Sequence, residues 1–505
     1  MLARVRSATL RGIEAAVVSV EVDVTSGLPS FTTVGLPDST VRESRDRIRA
    51  AIRNANFEFP MERITVSLAP ADLRKEGPAF DLPMALGILG ATEVIEQEAF
   101  EGCLVVGELS LDGGLRPIRG VLAVALLCRR EGVPRMLVPA ANAVEAASVP
   151  GAEVIALESI HDAVAYFKGE RHLLPTPAPA VRPAAGAGDT ADFSEVRGQA
   201  FAKRALEIAA AGGHNVLMVG PPGVGKTMLA RRMPGILPPL AREDSIEASV
   251  IWSVAGLLPA DRGLLATPPF RAPHHSVSDA GLIGGGSPPH PGEVSLAHTG
   301  ILFMDELPEF SQHALESLRG PLEDGSVTVV RAAGSASFPA RFQLVAAANP
   351  CRRGCPSLAA CACTVHERQR YLGRISRPLR DRIDLHLDLS AVSFAELRAD
   401  GAGEVSAAIR ARVVAARARQ AARFAGSPAR LNAHMSTRQL RRWCAVSGEG
   451  ARLLGVAVAR LGLSARAYHR VLKVSRTIAD LGGHETIAAE HVSEAIQYRD
   501  LDQTH

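Results

Sequence analysis

NVLMVGPPGVGKTMLARRM, residues 215–233, decides how this chain folds. The run VLMV reads as a short buried strand, and TMLARRM beyond it reads as a helix. Between them lies GPPGVGKT, 220–227. In a loop made of Gly220, Pro221, Pro222, Gly223, Val224 and Gly225, the glycines let backbone N–H groups turn inward around phosphate oxygens. Lys226 is then placed to reach β/γ oxygens, and the Thr227 hydroxyl to hold Mg²⁺. A strand, a phosphate-binding loop and a helix in that order predict an α/β core.

Two further stretches complete the pattern. GILFMDE, 300–306, is an apolar strand ending in two acids. Asp305 is positioned to support Mg²⁺, and Glu306 to polarise an attacking water. QLVAAANP, 343–350, carries Asn349 to the end of another strand. An Asn there is by default a turn former. Its order after the other two motifs marks it as a group that orients water or touches the γ-phosphate.

At 505 residues the chain is long enough for two to four domains. No apolar run approaches the roughly 18 residues that cross a bilayer. The N-terminal MLARVRSATLRGIEAAVVSVEV alternates like a strand, unlike a signal peptide. Seven clustered cysteines do not resemble a secreted disulfide framework. A cytoplasmic protein without a membrane partner is expected. The net charge of +3 excludes little, but residues 401–480 hold fifteen Arg or Lys against three acids. Such a block is able to meet phosphates. Arg dominates the basic residues everywhere, however, with only five Lys among 56, so the block also reflects general usage.

HLLPTPAPAVRPAAGAGDTA, 172–191, reads as a linker. It separates a mixed strand-and-helix segment, 1–171, from an α/β segment, 192–390, which is followed by a basic helical region, 391–505.

The phosphate loop, the acidic strand, the Asn strand and RPLRDRID (377–384) together resemble an AAA+ ATPase. FSEVRGQAFAKRALEIAAAGGHN, RAPHHSVSDAGLIGGG, PGEVSLAHTGILFMDELPEF and LSARAYHRVLKVSRTIADL narrow the resemblance to the magnesium-chelatase-like branch and its ComM (YifB) group. The resemblance implies ATP and Mg²⁺ as cofactors and a C-terminal helical lid. It makes Arg382 an arginine finger inserted into a neighbour's site, and Arg466 a sensor on the lid. A finger in trans implies a ring, a hexamer. An insert and a hairpin facing a central pore are also implied, with Arg271, His274, His275 and Arg331 as candidates for strand contact. The two adjacent histidines lack a nearby carboxylate or thiol pair, so a metal is disfavoured there. A packed or loop-stabilising pair is the other reading.

KEGPAFDLPMALGIL (75–89) and GELSLDGGLRPIRGVLAVA (107–125) resemble the proteolytic α+β domain of Lon. That domain uses a Ser–Lys pair. By alignment Ala79 stands for the Ser and Leu122 for the Lys, so no protease is expected; Lys75 and Ser110 do not occupy the required positions. The implied function is an ATP-driven helicase on single-stranded or branched DNA. It would promote branch migration while incoming DNA recombines in natural transformation, with recombination proteins as further partners. The alternative is a chelatase-type motor driving Mg²⁺ into a porphyrin, against which the Lon-like segment counts.

CRRGCPSLAACAC, 351–363, holds Cys351, Cys355, Cys361 and Cys363. Its spacing, C-x₃-C, five residues, C-x-C, is not the usual paired knuckle, and the family commonly begins this cluster C-P-C-G. Structural Zn²⁺ and unligated thiols both remain open, while catalytic thiol chemistry is disfavoured.

Overall fold

The computed structural model describes residues 1–179, 191–331, 334–355, 361–392, 403–427 and 429–499. Most of the expected linker, and 393–402 at the expected start of the lid, lie outside the described residues. The chain forms two compact units that interleave along the sequence. One comprises Met1–Arg182, Arg242–Leu265 and Ala332–Phe338; the other comprises Pro183–Ala241, Ala266–Arg331 and Pro339–His505.

The first unit is built on a seven-stranded mixed sheet. Leu2–Arg11 and Glu14–Thr25 form an antiparallel hairpin, because a short turn returns the chain directly, and Arg63–Ala69 pairs antiparallel with Glu14–Thr25 after an intervening strand and helix. Cys103–Val105, Arg135–Pro139 and Glu153–Leu157 extend the sheet in parallel. Helix Asp81–Ala91 lies against the sheet with nearly every side chain buried. Gly87 permits that approach, since a Cβ there would meet Val22 Cγ2 at 2.5 Å. The buried Asp81 accepts from Ser44 and from the Arg47 guanidinium, so its charge is paired.

Helix Arg242–Ala255, which follows the phosphate-loop region in the chain, belongs to this unit. Its Val250 and Val254 join the core around helix Val121–Glu131. Buried Glu145 fastens it. One carboxylate oxygen accepts from the Ser253 hydroxyl and from Leu122 N at 3.1 Å, and the other accepts from Asn142 Nδ2 at 3.2 Å. Leu122, at the expected position of the missing protease Lys, is therefore a core residue whose N–H is tied to this network. Lys75 is buried with its ammonium on the Pro70 carbonyl, and Ser110 donates to Asp112.

The second unit holds a five-stranded sheet in the order Phe270–Arg271, Ile301–Met304, Gln343–Ala348, Val216–Val219, Leu385–Asp388. All neighbours are parallel. Val216–Val219 has later strands on both sides, so the loop leaving it opens where the strand order reverses, which is where such sheets bind ligands. C-terminal helices cover the core, among them Ser406–Arg423, Gly448–Leu461 and Ala465–Leu481. Much of the basic block is consumed inside this layer. Arg423 and Arg476 meet on buried Asp480, Arg412 pairs with Glu207 and Glu404, and Arg417 donates to the Ala210 carbonyl. Arg470 pairs with buried Asp384. These guanidiniums hold the layer together and are not available to phosphates.

Candidate nucleotide-binding site

The loop 220–225 leaves the central strand with Gly223 at φ 79° and Gly225 at φ 95°, both in the left-handed region that a side chain would strain. A Cβ at either glycine would meet nothing within 4 Å, so the loop keeps open space beside its backbone. Lys226 begins the next helix and is buried. Its ammonium donates to the carbonyls of Gly220 at 2.6 Å and Pro221 at 2.9 Å, and to Asn349 Oδ1 at 3.0 Å. Burial lowers its pKa, partly offset by the carboxylates of Asp305 and Glu306. Asn349 is brought there because Gln343–Ala348 is the parallel neighbour of Val216–Val219.

Asp305 follows strand Ile301–Met304, and its Oδ2 accepts from Thr227 Oγ1 at 2.6 Å. A hydroxyl and a carboxylate this close form a hard-oxygen pair suited to Mg²⁺. Glu306 has φ 52°, a left-handed conformation for a non-glycine residue, and its N–H donates to Asp305 Oδ1 at 3.0 Å. The Glu306 carboxylate is half-exposed.

Beside Glu306 stands a residue that the sequence reading placed elsewhere. His275 Nδ1 is 3.5 Å from Glu306 Oε2, its ring lies tilted against that of His274 with centroids 4.1 Å apart, and the Phe310 ring stands edge-on to it with centroids 6.4 Å apart. His274 Nδ1 is 2.8 Å from Ser276 Oγ. The only signal for this in the sequence is the position of APHHS just beyond the edge strand Phe270–Arg271. Arg271 is held by both oxygens of Glu293, at 2.6 and 2.7 Å. Arg331 is exposed at the end of strand Ser326–Arg331, near the glycine ribbon Gly284–Gly285. That ribbon explains the run of glycines: a Cβ on Gly284 would come 2.7 Å from the His290 carbonyl. The four residues expected to contact a strand thus fall in three different settings.

Arg382 and Arg466 meet on one carboxylate oxygen, Glu323 Oε1, at 2.6 and 3.3 Å. Arg382 also donates to the Pro378 carbonyl at 2.7 Å and is almost wholly buried, whereas Arg466 is largely exposed. The Arg382 hydrogen bond holds the Glu323 carboxyl below its usual range.

Cys351, Cys355, Cys361 and Cys363 converge, with all four sulfurs within 4.8 Å of one another. The unusual spacing does not keep them apart. Among the described residues no helix is long and apolar enough to cross a membrane.

Family models match three stretches: "Magnesium chelatase, subunit ChlI" over residues 192–397, "Subunit ChlI of Mg-chelatase" over 20–142, and "Magnesium chelatase, subunit ChlI C-terminal" over 403–499. Among curated relatives, competence protein ComM of Haemophilus influenzae is 43% identical over 504 residues, covering 99% of this chain and 97% of its own. Protein YifB of Salmonella typhimurium is 42% identical over 503 residues, covering 99% and 98%. Lon protease of Roseiflexus castenholzii is 28% identical over 142 residues, 26% of this chain and 17% of its own. With that identity sustained from end to end, and with the phosphate loop, acidic turn and Asn349 assembled at the strand ends, the chain belongs to the magnesium-chelatase-like AAA+ family of ComM and YifB.

Proposed function

We propose that the chain is a cytoplasmic, ATP-hydrolysing motor that works as a hexameric ring on single-stranded or branched DNA. It acts as a helicase that promotes branch migration when incoming DNA recombines in natural transformation, alongside recombination proteins. The observation that carries the ATP half is the double convergence of Lys226 on Asn349 and of Thr227 on Asp305. The DNA half is supported by end-to-end likeness to a relative named a competence protein.

In this reading the loop 220–225 and Lys226 bind the β- and γ-phosphates, and Thr227 and Asp305 hold Mg²⁺. The metal would neutralise charge on the phosphoryl group. Glu306 orients and deprotonates the attacking water, and Asn349 fixes Lys226 and faces the γ-phosphate side. Arg382 reaches a neighbour's nucleotide only after leaving Glu323, and Arg466 senses the nucleotide from the lid. Release of the Glu323 contact would therefore accompany ring assembly. Arg331 is retained as a strand contact, while His275 is reassigned to Glu306.

The test is strand displacement by the full chain on three- and four-way DNA junctions with Mg-ATP. Junction processing is expected; unchanged junctions despite ATP turnover and ring formation would refute the DNA half. The three chelatase-named matches favour one second reading, a motor for metal insertion into a porphyrin. Insertion with purified partner subunits, absent any DNA effect, would establish it instead.

A further inference from the structure

The four converging cysteines take no part in the nucleotide chemistry, and their packing is unlike that of core residues. Cys351, Cys355 and Cys363 are buried and form a cluster of their own, with Cys361 packed against it and, among the described residues, no aliphatic or aromatic side chain included. A buried free cysteine ordinarily behaves as a small hydrophobe among other hydrophobes. Four thiols gathered this closely are a ligand set. None of the four is in a disulfide. Around a tetrahedral Zn²⁺ with bonds of about 2.3 Å, sulfurs stand about 3.8 Å apart. The observed limit of 4.8 Å needs only a small contraction to reach that. The Cys355 N–H already donates to Cys351 Sγ at 3.3 Å, the kind of backbone donor that steadies a ligating thiolate.

The same loop touches the phosphate-binding loop. Gly354, between the first two cysteines, has φ 63°, and a Cβ on it would come 2.8 Å from Pro222 Cγ and 3.5 Å from Pro222 Cδ. On the other side of Cys351, Asn349 accepts from Lys226. The first cysteine is therefore bracketed by two contacts to the nucleotide loop.

We propose that Cys351, Cys355, Cys361 and Cys363 hold one Zn²⁺ as four thiolates, and that the metal clamps this segment as a wall of the phosphate-binding loop. Four thiols give up four protons as Zn²⁺ binds, and no electron is transferred. Four protein ligands close the coordination sphere, so the metal has no open position for substrate. The wall half rests on the reading of 220–227 as an ATP loop; the metal half does not.

The experiment uses the full chain, reduced, reconstituted with Zn²⁺ and freed of excess metal. Elemental analysis should give one zinc per chain, and Co²⁺ in its place should show the absorption of a tetrahedral tetrathiolate. Cys361→Ser with Cys363→Ser should lose both signals. Gly354→Ala keeps every thiol, so it should retain the zinc while fluorescent-ATP affinity falls about tenfold. A reconstituted wild-type chain that takes up neither metal overturns the site. Gly354→Ala with unchanged ATP affinity overturns the wall. Zinc uptake by a wild-type chain that binds no ATP would refute the ATP reading and leave the metal site standing.

Discussion

Replacing Asp384 by Asn tests how the helical layer is held on the ATPase sheet. Asp384 is 1% exposed, accepts from Asn215 N at 2.9 Å and pairs with Arg470 of helix Ala465–Leu481. Burial alone would raise its pKa, but the Arg470 charge and buried His214 outweigh it and hold the carboxyl far below the usual range. Asn keeps the shape, loses the charge, and offers one oxygen where two donors now find one each. Breaking a buried pair by removing one partner costs about 3–5 kcal/mol. Arg470 keeps the Asp381 carbonyl at 2.8 Å, which favours the lower end, about 3 kcal/mol. At about 2–4 °C per kcal/mol for a unit of this size, the melting temperature should fall by about 6–12 °C at pH 7. A carboxyl with a depressed folded pKa stabilises above its unfolded value and loses that contribution as pH falls. The gap between wild type and variant should therefore narrow below the ordinary Asp value of about 3.9. Calorimetry across pH reads both effects. A gap under about 2 °C at neutral pH, or one that persists unchanged in acid, would refute the reasoning.

Three further outcomes follow from the geometry. His275→Ala should lower kcat by up to about 10²-fold with KM for ATP unchanged, because Glu306 loses the group beside its carboxylate; an unchanged kcat would remove His275 from the site. Glu306→Gln should bind ATP normally but hydrolyse it about 10²–10⁴-fold more slowly, read by single-turnover kinetics, and normal turnover would mean another group activates the water. Ser253→Ala, which takes one donor from buried Glu145, should cost about 1–2 kcal/mol in thermal unfolding of the first unit. No loss of stability would show that the Glu145 network does not hold helix Arg242–Ala255.

What was legible in the sequence was local. The phosphate loop, the acidic turn and Asn349 each sit at the end of an apolar strand, and parallel pairing of those strands brings them together. What was not legible depends on distant partners. The Ser253–Glu145 bond joins residues 108 positions apart, and nothing in REDSIEASVIWSVA announces that it folds with the N-terminal segment. Composition suggested that residues 401–480 meet phosphates, yet Arg412, Arg423, Arg470 and Arg476 are answered by acids, three of them outside their own helices. The resemblance assigns His275 to a pore insert, and its 3.5 Å approach to Glu306 depends on a fold that the spacing of APHHS does not show. The cysteine spacing leaves zinc and free thiols both open, because it matches no paired knuckle, and only the fold shows that the four sulfurs converge.

The most direct test of the central claim is steady-state Mg-ATP hydrolysis by the full chain compared with Lys226→Ala. The geometry predicts turnover in the wild type and its loss in the variant, since no other described residue bridges the loop carbonyls and Asn349. Equal turnover by both chains would contradict it.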